Sequence, residues 1–220
     1  MTTSLRRGRR SAATSNASFS AAAAYVARRD RVMAKLMKRT GPFRLPKPSG
    51  DHFAALAESI LYQQLAGAAA RAIHRRFLAL FDGHLSPQAV LEIAPRKLRG
   101  AGLSGSKVLS IRDLAAKVAG GTVPLRSIGR LPDEEIVTQL SVVRGIGRWT
   151  AEMFLIFCLL RPNVLPVDDL GLQRAASLHY FDGSDVDAER LRALGARWEP
   201  WRSVATWYLW RSLDPVPVEY

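Results

Sequence analysis

Helical spacing of apolar residues is the feature that most constrains how this 220-residue chain can fold. Apolar side chains recur roughly every three to four residues almost throughout, and polar caps, early prolines and terminal glycines separate the apolar stretches. The sequence therefore predicts an all-α fold. The expected helices cover residues 19–39, 52–64, 67–82, 87–93, 104–119, 132–141, 148–160, 169–179, 187–198 and 201–212.

The charge balance indicates the kind of partner. The chain has 32 Lys and Arg residues against 19 Asp and Glu residues, which gives a formal net charge of +13 at pH 7. A fixed positive excess of this size favours a polyanion, and nucleic acid is the expected partner. No apolar run approaches the ~18 residues that a membrane span needs, so we expect no membrane partner.

The first 17 residues differ in composition from the rest of the chain. Residues 1–17 contain four arginines and no acid, and are otherwise mainly Ser, Thr and Ala. Such a segment cannot bury enough apolar surface to fold alone, which predicts a disordered basic tail ahead of a folded domain at 18–220. The single cysteine, Cys158, lies in an apolar run and excludes an intrachain disulfide or a four-cysteine iron–sulfur cluster.

A glycine-rich turn between two apolar helices is the most informative segment. Residues 140–152 are expected to form a helix, a tight hairpin and a second helix, with Gly145 and Gly147 on either side of Ile146. Glycines permit a sharp turn, Ile146 would fill the core, and the amides that open the second helix suit a phosphate group. The same pattern also fits a plain helix–helix turn.

A further segment carries candidate functional groups. Asp168 and Asp169 follow Pro166, and an aspartate here could simply cap the helix that begins near Leu170. Four segments, taken in chain order, carry a family resemblance: Ile-Leu-Tyr-Gln-Gln-Leu at 60–65, the Gly-Ile-Gly hairpin, Pro-Val-Asp-Asp at 166–169, and Trp-Glu-Pro-Trp-Arg-Ser at 198–203 running on to Trp210.

On these segments the chain resembles the helix-hairpin-helix base-excision DNA glycosylases, of the 3-methyladenine DNA glycosylase II type, over residues 52–213. The resemblance implies two helical lobes with the active site in the cleft between them. The middle lobe would cover about 52–165 with the hairpin at 140–152, and the second lobe 18–50 plus 166–220. It also implies the compact form of the family, which lacks an N-terminal β-rich domain. A monomer is the default expectation.

The resemblance further implies an activity. The enzyme would flip an alkylated purine of the 3-methyladenine and 7-methylguanine class out of double-stranded DNA and hydrolyse its N-glycosidic bond. Asp169 matches the family's catalytic aspartate, whose charge would stabilise an oxocarbenium-like transition state, while Asp168 would cap the helix. Trp149 stands where bifunctional relatives carry a Schiff-base lysine, so an abasic site without strand cleavage is expected.

Aromatic side chains would stack the flipped cationic base. By resemblance the base pocket comprises Trp149, Trp210, Met153 and Tyr62. Met153 departs from an aromatic residue found in some members, which suggests an altered pocket. Trp210 alternatively packs in the core as part of a helix.

The resemblance also assigns contacts with DNA. Gln64 would fill the gap left by the flipped base, although it also fits a solvated helix end. A monovalent cation, Na⁺ or K⁺, would bind the backbone carbonyls of Ser141, Val143 and Gly145, and no other cofactor is expected. The predicted DNA-binding residues are Gln63, Gln64, Lys107, Arg144, Gly145, Gly147, Arg148 and Thr150.

Two other functions compete with this interpretation. The hairpin also occurs in non-catalytic helix-hairpin-helix modules that only bind DNA phosphates, and a related glycosylase could act on deaminated or oxidised bases. The combination of Asp169, Trp149 and Trp210 favours the alkylpurine enzyme. We expect it in the cytoplasm at the bacterial nucleoid, or in the nucleus or an organelle of a eukaryote.

Overall fold

The computed structural model of the protein describes residues 19–45, 48 and 50–213. These residues form helices, turns and loops without a strand, which confirms the predicted all-α fold. The predicted basic tail at 1–17 lies outside the described residues. Among the described helices, none combines the length and apolar character needed to cross a membrane.

Twelve α-helices and two short 3₁₀ segments are described. The α-helices are α1 (19–29), α2 (Arg31–Thr40), α3 (His52–Tyr62), α4 (Gly67–Ala79), α5 (Pro87–Glu92), α6 (Pro95–Gly100), α7 (Gly105–Ala119), α8 (Asp133–Ser141), α9 (Arg148–Phe157), α10 (Leu170–Tyr180), α11 (Ala188–Gly195) and α12 (Arg202–Leu213). The 3₁₀ segments are Ile128–Arg130 and Ala196–Trp198.

The chain divides into two compact units. One unit comprises Pro48–Leu159, and the other combines Met1–Lys47 with Leu160–Tyr220. The family resemblance predicts the second division near residue 165, whereas the structure has it after Leu159. Helices α3 to α9 belong to the continuous unit, and α1, α2 and α10 to α12 to the discontinuous unit.

Helix α7 lies at the centre of the continuous unit. It packs against α3, α5 and α6, while α9 packs against α3 and α8. Burial of these apolar faces stabilises the unit by about 25 cal/mol for each Å² removed from water. Large side chains that are almost completely buried include Leu56, Ile60, Phe77, Leu98, Ile111, Leu114 and Ile128.

Side-chain caps begin several of the helices. Ser86 accepts a hydrogen bond from the Ala89 amide at 3.2 Å, and Pro87 occupies the first turn of α5. Ser104 caps α7 by accepting from the Lys107 amide at 3.2 Å. Each cap satisfies a backbone donor that a helix start leaves without a helical partner.

In the discontinuous unit, α12 packs against both α2 and α10. Trp198 and Tyr208 are among its fully buried side chains. The Tyr208 hydroxyl donates to the Gly41 carbonyl at 3.0 Å, which ties α12 to the end of α2. Burial raises the pKa of this hydroxyl.

The single helix predicted at 19–39 is wrong, because the chain breaks at Asp30. Asp30 Oδ1 accepts from the Val32 and Met33 amides at 2.9 and 3.1 Å, so it caps a new helix. Asp30 Oδ2 accepts from the Tyr180 hydroxyl and the Trp198 indole N–H, each at 2.9 Å. The aspartate is only 4% exposed, and these four donors replace the water it loses.

Two other differences concern an additional short helix and the end of α9. Helix α6 was not predicted, because six residues with the single buried side chain Leu98 show no periodicity. The helix predicted at 148–160 ends at Phe157, and Leu160 adopts a left-handed φ of 54°. Cys158, at the end of α9, is partly buried, and burial raises the pKa of its thiol to about 11.

Candidate functional site

A tight hairpin joins α8 to α9 and turns at Gly145. This residue has a φ of 79°, in the left-handed region that favours glycine. Val143 and Ile146 are buried, at 2% and 3% exposure, and Gly147 lies at the N-terminus of α9. The structure therefore contains the predicted sharp turn with Ile146 in the core, and it leaves the first amides of α9 at the hairpin.

Gly145→Ala should destabilise the continuous unit. A Cβ at Gly145 would lie 2.8 Å from the hydroxyl oxygen of Ser110, which is buried on α7. The left-handed φ adds about 1–2 kcal/mol and the overpacking about 1–3 kcal/mol, so urea unfolding should show a loss of roughly 2–5 kcal/mol. Gly147→Ala is the control, because nothing lies within 4 Å of its Cβ. Equal losses in both variants would contradict this account.

Gln63 ties the end of α3 to the hairpin. Its side-chain amide donates to the Gly145 carbonyl at 2.9 Å and to the Thr150 hydroxyl at 3.4 Å. Thr150 is only 4% exposed. The family resemblance predicts contacts of Gln63 and Thr150 with DNA, whereas in the structure both side chains form hydrogen bonds inside the unit. Their contact with DNA stays a prediction.

Lys107 binds the same helix end. Its ammonium group donates to the Leu61 carbonyl and, at 2.8 Å, to the Gln63 carbonyl. These oxygens lie at the C-terminal end of α3, where the helix itself supplies no N–H partner. Burial lowers the pKa of Lys107. The expected contact of Lys107 with a phosphate therefore competes with its role in capping the end of α3. The spacing of residues in the sequence does not indicate this role.

Replacing Lys107 with methionine should destabilise the protein by about 1–3 kcal/mol, because two helix-end carbonyls lose a charged donor. Lys97→Met is a matched control, since Lys97 is exposed on α6 and a change within about 0.5 kcal/mol is expected there. Both values are measurable by urea unfolding followed by circular dichroism. Identical stability of Lys107→Met and the wild type would rule out the capping role.

Gln64, the residue after Gln63, has a strained backbone conformation. It is exposed and has a φ of 58°, which is uncommon for a residue with a Cβ. Left-handed geometry costs about 1–2 kcal/mol and persists where the surroundings fix it. Here the contacts of Gln63 and Lys107 fix the preceding residues. The structure thus presents the predicted wedge residue at the tip of a constrained turn.

The positive charges beside the hairpin are partly neutralised. Arg148 forms two hydrogen bonds with Glu134, at 3.0 and 2.7 Å, and lies 3.6 Å from Glu152. The hydrogen bonds with Glu134 raise the pKa of Arg148 and lower that of Glu134. Because Glu134 is 76% exposed, this ion pair is screened and weak, so a phosphate could displace it.

Asp113 on α7 orders the chain at Arg144. Its Oδ2 accepts from the Arg144 backbone amide at 2.7 Å, and both carboxylate oxygens lie 2.6 Å from the Lys117 ammonium. Burial opposes ionisation, but the hydrogen bonds from Arg144 and Lys117 prevail and lower the pKa of Asp113. The Arg144 residue is exposed, as a phosphate contact requires.

A second group of predicted residues meets in the discontinuous unit. Asp169 Oδ1 accepts from the Leu172 amide at 2.6 Å and from the Trp210 indole N–H at 2.8 Å. A Cβ at Gly171 would lie 3.2 Å from this oxygen and 3.6 Å from the Trp210 ring. Glycine therefore lets the helix start approach both groups, and the carboxylate is held in one orientation.

The predicted capping role of Asp168 is wrong. Asp169 itself caps α10, whereas Asp168 is exposed and was expected to be the cap. The reason is local geometry, because the residue directly before the first helical residue places its oxygen on the third amide. Asp169 can still be the catalytic group, since a cap hydrogen bond only fixes the orientation of the carboxylate.

The remaining pocket candidates lie in the continuous unit. Trp149 is 43% exposed on the first turn of α9, and Met153 is partly buried one turn later. Tyr62 packs edge-on against His74, with ring centroids 5.8 Å apart, and burial raises the pKa of its hydroxyl. Their role in holding a base stays a prediction. The exposure of Trp149 beside the hairpin is consistent with a role in stacking a base.

The carbonyls predicted to bind a monovalent cation follow one another in the hairpin. The Val143 carbonyl accepts from the Ile146 amide at 3.0 Å, and the Gly145 carbonyl accepts from Gln63. Each carbonyl oxygen has a second lone pair, so the residues fit such an ion. The cation stays a prediction. Within the described part of the chain, no group of three His, Cys, Asp or Glu side chains could hold a metal ion.

Several supporting residues were not predicted. Asp113 accepts from the Arg144 amide, Ser110 lies against Gly145, and Gly171 leaves room beside the Asp169 carboxylate. Asp113 and Ser110 are far from the hairpin in sequence, and Gly171 has no side chain to mark it. Asp133, Glu134 and Glu135 lie in the first turn of α8, where acids favour the helix dipole. No spacing rule indicates that Glu134 would bind Arg148.

Comparisons with known proteins identify the family. Residues 57–200 match the model of the HhH-GPD superfamily base excision DNA repair proteins. The chain is 33% identical to the putative DNA-3-methyladenine glycosylase YfjP of Bacillus subtilis, over 72% of this chain and 58% of that protein. It is 30% identical to DNA-3-methyladenine glycosylase 1 of Schizosaccharomyces pombe, over 81% of this chain and 80% of that protein.

A solved structure shows the same fold. The 3-methyladenine DNA glycosylase Mag1 of Schizosaccharomyces pombe, in complex with abasic DNA, superposes with a TM-score of 0.79 at 28% identity. The match covers 90% of this chain and 99% of that one. With most of the chain matched in sequence and fold, the protein belongs to the HhH-GPD superfamily of base excision DNA repair proteins.

Proposed function

We propose that the protein is a monofunctional DNA glycosylase that removes alkylated purines of the 3-methyladenine and 7-methylguanine class from double-stranded DNA. The observation that carries this proposal is the Asp169 carboxylate, which the Leu172 amide and the Trp210 indole hold in one orientation. The names of the relatives in Bacillus subtilis and Schizosaccharomyces pombe support the same substrate class.

A fixed carboxylate suits cleavage of an N-glycosidic bond. As this bond breaks, positive charge develops on the sugar, and a preorganised negative charge stabilises it without reorganisation. Asp169 supplies that charge and can also orient or deprotonate the attacking water. An alkylated purine is already cationic, so the enzyme needs to stack the base rather than protonate it.

The residues of the continuous unit bind the DNA in this proposal. Amides at the start of α9 and the exposed Arg144 contact phosphates, and Gln64 replaces the flipped base in the stack. Trp149 stacks the base and provides no amine for a Schiff base, so the product is an abasic site in an uncut strand. A monovalent cation at the carbonyls of Ser141, Val143 and Gly145 adds a further phosphate contact.

One chain contains both the hairpin and the fixed carboxylate, so the proposed enzyme acts as a monomer. Its place of action is the chromosomal DNA of the cell. Size-exclusion chromatography with light scattering tests the oligomeric state, and a dimer at working concentrations would contradict this part of the proposal.

The test is release of free bases from methylated duplex DNA, separated by chromatography, with a gel assay for strand breaks before and after alkali. The expected result is release of methylpurines, with breaks only after alkali. Breaks without alkali would show lyase activity and overturn the monofunctional mechanism. Absence of release, combined with tight DNA binding, would leave a non-catalytic DNA-binding module.

A further inference from the structure

The exposed side of α2 carries only positive charge. Its four exposed cations lie at i, i+4, i+7 and i+8 and therefore share one side of the helix, opposite the buried Met33 and Leu36. We call this set the basic face, and its members are Arg31, Lys35, Lys38 and Arg39.

No carboxylate on the helices packed nearby offsets this charge. Helix α2 packs against α12, which packs against α10, and none of the three contains Asp or Glu. The single acid in residues 19–45 is Asp30, which is 4% exposed and already accepts from four donors. Within the described chain, none of the four basic-face side chains forms an ion pair.

The basic face does not serve the stability of α2. Arg31 and Lys35, and likewise Lys35 and Arg39, are like charges four residues apart, which repel each other on a helix. Arg31 also lies in the first turn, where the helix dipole disfavours a cation. Only Lys38 and Arg39, in the last turn, are placed favourably for the dipole. A negatively charged partner would relieve this repulsion.

We propose that the basic face is a second DNA-binding surface, which contacts the phosphates of duplex DNA without reading the bases. It lies in the unit that does not contain the hairpin. The face is ~12 Å long, and duplex DNA presents one phosphate charge per ~1.7 Å of its axis, so each of the four cations can meet a phosphate. The choice of DNA as the polyanion rests on the proposed function.

The test compares two variants of the full chain with equal charge loss. One replaces Arg31, Lys35, Lys38 and Arg39 with Gln. The control replaces four exposed cations elsewhere with Gln, namely Arg96, Lys97, Arg126 and Arg130. Affinity for an undamaged fluorescent duplex is measured over a series of salt concentrations, because the slope of log K against log salt counts the phosphates contacted.

The basic-face variant should lower the magnitude of that slope by about 3–4, since each phosphate contact contributes about 0.9, and the control by less than about 1. Equal changes in both variants, or none in the first, would overturn the proposal. Two double variants serve if the fourfold variant does not fold. One combines Arg31→Gln with Lys35→Gln, and the other combines Lys38→Gln with Arg39→Gln. Each should give about half the change in slope.

Two further measurements separate the alternatives. Loss of binding to phosphatidylglycerol vesicles with an unchanged DNA slope would overturn the proposal in favour of a membrane surface. Base release at saturating methylated DNA should be the same in the basic-face variant and the wild type. If the wild type releases no base but the slope still falls as expected, the second DNA-binding surface stands and the glycosylase function fails.

Discussion

Asp169→Asn should lower the rate of base release from methylated duplex DNA by about 10²- to 10⁴-fold. The substitution removes the negative charge that the developing oxocarbenium ion requires. It keeps a side-chain oxygen that can accept from the Leu172 amide and the Trp210 indole, which in Asp169 meet on Oδ1. Because Asn is also a good helix cap, α10 and the fold should persist. Single-turnover release of methylpurines measures the effect.

Asp168→Asn is the matched control for Asp169→Asn. It removes the same charge one residue earlier, from a side chain that is exposed and does not cap α10. Its rate should stay within about threefold of the wild type, which corresponds to less than about 0.7 kcal/mol. Equal losses in the two variants would mean that overall charge, rather than the fixed carboxylate, controls the rate. Unchanged activity of Asp169→Asn would exclude it as the catalytic group.

Asp30→Ala should lower the free energy of unfolding by about 3–5 kcal/mol. The substitution leaves the Tyr180 hydroxyl, the Trp198 indole N–H and two helix-start amides without their acceptor inside the core. Urea unfolding monitored by circular dichroism and tryptophan fluorescence measures the loss. The large expected value follows from the burial of Asp30, which is only 4% exposed, so its removal leaves these donors in a poorly hydrated site.

Asp51→Ala separates the buried network from ordinary capping. Asp51 also caps a helix, by accepting from the Ala54 amide at 3.0 Å, but it is exposed. Its loss should cost only about 1 kcal/mol. If Asp30→Ala and Asp51→Ala destabilise the protein equally, the contacts with Tyr180 and Trp198 contribute nothing beyond the cap. Tyr180→Phe, which removes one donor, should give an intermediate loss of about 1–3 kcal/mol.

Local signals explain why much of the fold was predictable. Helical periodicity, the Ser86 and Ser104 caps and the glycine hairpin each depend on residues within about one turn of each other. A helix start, or the left-handed turn at Gly145, is decided by such short-range geometry. The sequence by itself therefore determined the all-α class, most helix positions and the hairpin with Ile146 in the core.

Long-range contacts decided the rest. The break at Asp30 depends on donors 150 and 168 positions away, at Tyr180 and Trp198, and no local pattern contains them. Lys107 is predicted to contact a DNA phosphate, yet its ammonium group donates to carbonyls 46 and 44 positions earlier in the chain. The hydrogen bond from Trp210 to Asp169 likewise spans 41 positions. Which polar groups meet is fixed only when helices pack, because packing removes water and leaves each buried donor to find an acceptor.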